Sequence, residues 1–269
     1  MPHRISPMRL AVALPVLLPA TLLALAAFWP AILSTQNPLT GLPAEYLAPP
    51  SASHWFGTDQ FGRDVLARVV YGSFSTLSSA LLAVGISLVW AIPAGLLAGL
   101  GSRRVERTIL ACADIVLSIP EIFLSLSIIT LIGPGAVHVA LAVGISQTAG
   151  FVRMIHTEVS RVQATEYMEA ATGIGGTFSQ VVLRHVLPNS LAPTLALASL
   201  RLGTAILAIS TICFLGYGPP PPTPEWGLMI TEGRDYLSTA WWITTFPGLA
   251  IIFSAWTASL VSHAIRSTP

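Results

Sequence analysis

Residues 74–132 read FSTLSSALLAVGISLVWAIPAGLLAGL (74–100), GSRRVER (101–107) and TILACADIVLSIPEIFLSLSIITLI (108–132). Each apolar run exceeds the ~20 residues a helix needs to cross the hydrocarbon core of a bilayer. The turn between them carries Arg103, Arg104 and Arg107, and basic turns stay on the cytoplasmic side of a membrane. The stretch therefore predicts two transmembrane helices joined in the cytoplasm. It sets the fold class as all-α, a polytopic membrane protein.

Composition agrees. The 269 residues are 53% hydrophobic and 9% charged with a mean hydropathy of +0.73, where a soluble domain would carry about 25% charged residues. Four further apolar runs bring the expected total to six spans, at about 10–33, 74–100, 108–132, 136–152, 191–215 and 240–261. The first would rise roughly 36 Å as a helix, too long for the apolar region of a cleavable signal despite Arg4 and Arg9 ahead of it. The fourth, interrupted by Gln147, is the weakest. No internal repeat is visible, so residues 1–9 are expected to be a cytoplasmic N-terminus and 10–269 one transmembrane domain.

Six spans would place both termini on one side. With the termini inside, Arg4, Arg9, Arg103, Arg104, Arg107, Arg153, Arg161, Arg184 and Arg266 face the cytoplasm, against Arg63, Arg68 and Arg234 outside. That bias satisfies the positive-inside rule. The outer segments then hold Glu45, Asp59, Asp64, Glu225, Glu232 and Asp235, a mildly acidic face. Prolines 15, 19, 93, 120 and 247 fall within apolar runs, where each removes a backbone donor and favours a kink. Gly95 and Gly99, four residues apart, predict close helix packing inside the bundle.

The chain has no lysine, so it can neither supply the lysine of a glycine-rich phosphate-binding loop nor form a Schiff base. ATP chemistry would sit on a partner. A net charge of +1 without a basic patch argues against nucleic acid. Cys112 and Cys213 have no metal-ligand or pairing spacing and read as buried packing thiols. The six histidines are scattered, and with no His-Glu metal spacing or activated nucleophile a membrane-embedded enzyme is a poor reading.

The longest cytoplasmic segment, 153–189, reads RMIHTEVSRVQATEYMEAATGIGGTFSQVVLRHVLPN. Met154, Val159, Val162 and Tyr167 recur at near-helical spacing, the Gly-rich stretch 172–176 breaks the helix, and a second short helix at 177–187 is stopped by Pro188. The expected product is a helix-turn-helix lying parallel to the membrane, and composition alone slightly favours an amphipathic helix resting on lipid headgroups over one that docks a partner. Its motif is more particular. Glu169-Ala170-Ala171, then Gly175, then His185 two positions before Leu187-Pro188, resembles the coupling loop of ABC importer permeases. His185 stands where the general motif has a hydrophobic residue, and Arg184 to Asn189 is similar to the form found in permeases of the peptide and nickel transporter family. Gly57-Thr58-Asp59-Gln60-Phe61-Gly62-Arg63-Asp64 and Phe214-Leu215-Gly216-Tyr217-Gly218 resemble blocks of the C-type permeases of dipeptide and oligopeptide importers. The resemblance runs from about Trp55 to Arg266. It departs at Ser262-His263, where the family commonly has Gly-Asp, and at 208–211, where an acid often precedes Phe-Leu-Gly.

The resemblance implies a bacterial inner-membrane subunit, itself without cofactor, working with a second homologous permease, two ABC ATPases that hold ATP and Mg, and an extracytoplasmic solute-binding protein. Cargo by resemblance is a dipeptide or oligopeptide, with nickel or haem behind it; a secondary transporter or channel is the alternative of another class. Glu169, Ala170, Ala171, Gly175, His185, Leu187 and Pro188 would receive the ATPase. Gly57, Thr58, Asp59, Gly62, Arg63 and Asp64 are the family signature of the outer segment, and for Asp59, Arg63 and Asp64 a local salt-linked turn is expected rather than substrate contact. The stretch 218–226, rich in proline, predicts an extended stiff segment near the outer mouth. Glu121 and Arg201 are ionisable residues within spans, a feature that usually marks a pathway. Counting helical rise from the cytoplasmic ends puts both at similar depth, so they are expected to pair or to face an aqueous path, with Asp114 nearer the cytoplasmic mouth.

Overall fold

The computed structural model describes residues 7–164 and 187–267, with side chains at 15–164 and 193–265. Glu169, Ala170, Ala171, Gly175 and His185 lie outside the described residues, as do the side chains of Leu187 and Pro188. The expected helix-turn-helix of the coupling segment is thus outside them from residue 165 to 186.

The described chain is helical. Helix α1 (Pro7–Phe28) and the short α2 (Pro30–Leu33) precede a long segment, 34–64, without an α-helix. Then come α3 (Val65–Leu100), α4 (Arg103–Leu117), α5 (Glu121–Ile132), α6 (Ala136–Gln163), α7 (Leu187–Ile212), α8 (Trp226–Gly233) and α9 (Trp242–Ser267).

Among the described residues four helical segments are long and apolar enough to cross a membrane: Val65–Leu100, Ala136–Gln163, Pro193–Tyr217 and Trp242–Ile265. The bent pair of α4 and α5 makes a fifth when taken as one span. Among the described residues the apolar part of α1, Pro15–Phe28, is shorter than a span. The protein is therefore an all-helical, multi-pass bundle, with four to five candidate spans among the described residues where the sequence predicts six.

Boundaries shift for physical reasons. The second span starts at Val65 rather than residue 74, because Asp64 caps it by accepting a 2.7 Å hydrogen bond from the Ala67 amide. Its first turns carry Arg68, whose charge hid them from a hydropathy reading although the side chain is buried. The span expected at 108–132 is not straight: α4 and α5 meet at 86°, with Pro120 at the corner supplying no backbone donor. The fourth span does not stop at residue 152 but continues unbroken to Gln163. Arg153 to Gln163 thus prolong the bundle's central helix instead of opening a separate surface helix.

Helix α6 is central: 61% of its apolar window is buried, against 33% for α3 and 28% for α9. The run that looked weakest in sequence is the one around which the others pack, since a helix covered by protein on most sides needs no uniformly lipophilic face. It packs most extensively on α3, where Val143, Phe151, Val152, Ile155 and Val159 are buried. Close approach depends on the two glycines of α3. A Cβ on Gly95 would stand 2.6 Å from Ile155 Cγ2, and one on Gly99 2.5 Å from Val159 Cγ1. Ser87 donates a 2.7 Å hydrogen bond across the same interface to the Gly144 carbonyl. Cys213 is buried as expected, whereas Cys112 is exposed, on α4, a helix that buries only Ala113.

Candidate functional site

Two charged constellations stand out, and they differ in kind. The first gathers the outer segment before α3. Asp59 Oδ1 accepts from the Phe61 and Arg63 amides at 2.8 and 3.0 Å, closing a tight turn that Gly62 completes at φ +69°. Arg63 Nε donates to Asp59 Oδ2 at 2.6 Å. From α3, Arg68 reaches into the same turn: Nη2 donates to Glu232 at 2.8 Å and Nη1 to the Pro38 and Pro222 carbonyls at 3.3 and 3.2 Å. Arg63 Nη2 lies 3.4 Å from the same Glu232 oxygen. Asp64 accepts from the α3 amide and also contacts His54 Nδ1 at 2.8 Å, while His54 Nε2 lies 3.4 Å from Glu45. Trp242, at the start of α9, donates from its indole to the Thr58 carbonyl at 3.0 Å.

The salt-linked turn expected at Asp59, Arg63 and Asp64 is present, but it is buried and it is not only local. Asp59, Arg63, Asp64 and Arg68 are at most 4% exposed. The cluster ties the outer segment to the proline-rich stretch, the end of α8 and the start of α9. Charges taken out of water need mutual pairing and complete hydrogen bonding to persist, and here two cations face two anions at Asp59, Glu232, Arg63 and Arg68. Burial works against a charged His54, yet the hydrogen bonds and charges of Asp64 and Glu45 outweigh it and raise its pKa above the ordinary 6.5. The mildly acidic outer face expected from six acids is thereby corrected: Asp59, Asp64 and Glu225 are buried, and Glu225 is turned inward to cap α8 through the Leu228 amide at 2.8 Å.

The second constellation lies inside the bundle. Glu121 is the first residue of α5, immediately after the corner, and Arg201 sits on α7. Their side chains approach to 3.9 Å between Nη1 and Oε2, with 37% of Arg201 and 35% of Glu121 exposed. They do come together, although the straight-helix count that suggested it fails at the 86° corner. Gln147 of α6, 1% exposed, donates from Nε2 to Glu121 Oε1 at 2.8 Å. Below them the Ser125 and Ser146 hydroxyls meet at 2.9 Å. Gly150 makes room for the guanidinium, because a Cβ there would lie 2.9 Å from Arg201 Nη2. Asp114 is not part of this group: it pairs with Arg153 of α6 on the half-exposed surface, beside Glu106 and His156 at 3.1 Å.

Sequence reasoning missed Arg68, Glu232, His54, Gln147 and Gly150. Arg68 stood at the foot of an apolar run, the one signal that could have raised it; the others acquire meaning only through partners distant in the chain.

A multi-pass helical bundle, clamped at one end by buried ion pairs and carrying a half-exposed charge pair between its helices, belongs to the class of membrane transport domains. Residues 91–267 match the model of the binding-protein-dependent transport system inner membrane component, and the chain belongs to that family. It is 35% identical, over 90% of its length and 79% of the relative's, to a dipeptide transport system permease protein of Alkalihalophilus pseudofirmus. A probable D,D-dipeptide transport system permease protein of Escherichia coli is 36% identical over 87% of this chain and 78% of that one. A glutathione transport system permease protein of Pectobacterium atrosepticum is 30% identical over 81% and 72%. Among solved structures, the inward-facing MetNI methionine ABC transporter superposes with a TM-score of 0.63 at 19% identity, over 75% of this chain and 96% of that one, a likeness of fold. The chain is thus a multi-pass inner-membrane permease subunit of a bacterial ABC importer, not itself an ATPase, and works with ATPase and binding-protein partners.

Proposed function

We propose that this chain is one of two homologous permeases that together enclose the path of a short-peptide importer. The observation that carries the cargo is that relatives sharing about a third of its residues over most of its length are named for dipeptides, D,D-dipeptides and glutathione. In this reading the first helix also crosses the bilayer, giving six spans with both termini in the cytoplasm, as the distribution of arginines favours. Two ATPase subunits hold ATP and Mg and dock on residues 153–189, with Glu169, Ala170, Ala171, Gly175, His185, Leu187 and Pro188 as the contact. A long α6 supports that role physically. It enters this segment as the bundle's most buried helix, so displacement at its cytoplasmic end is passed to α3 and to the carboxylate held by Gln147. Coupling requires the segment to make different contacts in the two states of the ATPase pair.

The test is uptake of radiolabelled alanyl-alanine by vesicles containing the complete transporter and its binding protein, with ATP inside. The wild type accumulates the dipeptide, while Gly175→Asp and Glu169→Ala insert normally and lose ATP-driven accumulation. Undiminished uptake by both variants would remove the coupling assignment, and a wild type inert toward every short peptide would remove the cargo.

A further inference from the structure

The two charge clusters obey different rules, and the contrast points to a ligand. In the outer clamp the closest pairs stand at 2.6 and 2.8 Å and the arginines are buried, as structural ion pairs should be. Inside the bundle, Glu121 and Arg201 stop at 3.9 Å, beyond hydrogen-bond distance, with more than a third of each side chain open. None of the guanidinium N–H groups of Arg201 has a hydrogen-bond acceptor among the described residues. Among the described residues the Glu121 carboxylate accepts only from Gln147, through Oε1, and its Oε2 is left toward the arginine. The Gln147 amide oxygen, buried, has no hydrogen-bond partner among the described residues either. Unmet hydrogen-bonding capacity at a charged site between spanning helices is costly unless another molecule meets it.

We infer that Glu121 and Arg201 form a transit site for the two free ends of a short zwitterionic peptide, Arg201 taking the C-terminal carboxylate and Glu121 the N-terminal ammonium. The inference rests on the peptide reading above. A guanidinium presents a planar fork that matches a carboxylate with two parallel hydrogen bonds, and one fork is free here. Gly150 leaves it space to lie against α6, and Gln147 holds the Glu121 carboxylate through Oε1 so that its second oxygen faces Arg201. When no peptide is present each charge moderates the other across 3.9 Å, which keeps the site from holding a single-charged ion tightly. An arriving zwitterion replaces both partners at once, whereas a chain carrying only one charge leaves the opposite residue unmatched.

The experiment measures alanyl-alanine uptake by the complete transporter at saturating binding protein, with assembly checked by co-purification of the partner subunits. Loss of a charge-assisted fork predicts that Arg201→Gln and Glu121→Gln each lower uptake about 10- to 100-fold. The neutral double variant Glu121→Gln/Arg201→Gln and the exchanged pair Glu121→Arg/Arg201→Glu stay equally low. Recovery of uptake in either would overturn the site and leave a mere helix-joining salt bridge. Arg201→Lys keeps the charge and loses the fork, and it carries the test should a glutamine variant not assemble. Its uptake falls several-fold, and wild-type uptake by Arg201→Lys likewise overturns the assignment. A wild type that takes up no alanyl-alanine overturns the peptide reading itself, an outcome distinct from a working wild type indifferent to these substitutions.

Discussion

Removing Arg68 should loosen the outer clamp far more than its single position suggests. The side chain is 1% exposed and satisfies Glu232 at 2.8 Å together with the Pro38 and Pro222 carbonyls. Arg68→Met leaves Asp59 and Glu232 facing Arg63 alone, one negative charge in excess in a buried setting. Breaking a buried pair from one side costs about 3–5 kcal/mol. If that cost falls on local opening, amide hydrogen exchange in the clamp accelerates by roughly two to three and a half orders of magnitude. The amides to follow are Asp59, bonded to the Arg63 carbonyl at 3.0 Å, and Val65, bonded to the Gly57 carbonyl at 3.0 Å. The control is Arg234→Met, because Arg234 and Asp235 form a 3.5 Å pair that is 58% and 79% exposed, and surface pairs contribute about 0–1 kcal/mol. Arg68→Met/Glu232→Gln restores the charge balance and should recover part of the protection. Acceleration below threefold in Arg68→Met, or no greater than in the control, would refute the claim that the signature block is held by buried charge.

Other expectations follow from the same geometry. Gly95→Leu, whose Cβ would stand 2.6 Å from Ile155 Cγ2, should destabilise the bundle by about 1–3 kcal/mol through overpacking, with Ile155→Ala relieving part of it in a thermal melt of the purified complex. His54 has its folded-state pKa raised above 6.5, so its contribution is fully present below that value and is lost as pH climbs through the raised one. A stability titration should therefore show the wild type losing its advantage over His54→Gln toward alkaline pH; an advantage that grows with pH would contradict it. Asp114 and Arg153 are each about half exposed, so Asp114→Asn should cost less than about 1 kcal/mol in the same melt, and a loss comparable to that of Arg68→Met would show the pair to be structural.

Much of the architecture was legible without coordinates, because hydrocarbon is an unforgiving solvent. A run of ~20 apolar residues has few ways to satisfy its backbone other than as a helix, so the locations of most spans and the membrane class follow from composition alone. The spacing of Gly95 and Gly99 announced close packing, and charges within spans at Glu121 and Arg201 announced a special environment. What hydropathy could not resolve is where burial by protein replaces burial by lipid. Arg68 and Gln147 look like interruptions in a one-dimensional profile, yet each is buried with a partner far away in sequence, Glu232 for one and Glu121 for the other. The corner at Pro120 turned one expected span into two helices, and α6 became the centre of the bundle despite its weak apolar signal. By itself the sequence determined the helical membrane class, the family resemblance and the residues worth watching. Only the tertiary structure decided which charges close on one another as a clamp and which stop short of contact, since that depends on distances between helices that no linear spacing encodes.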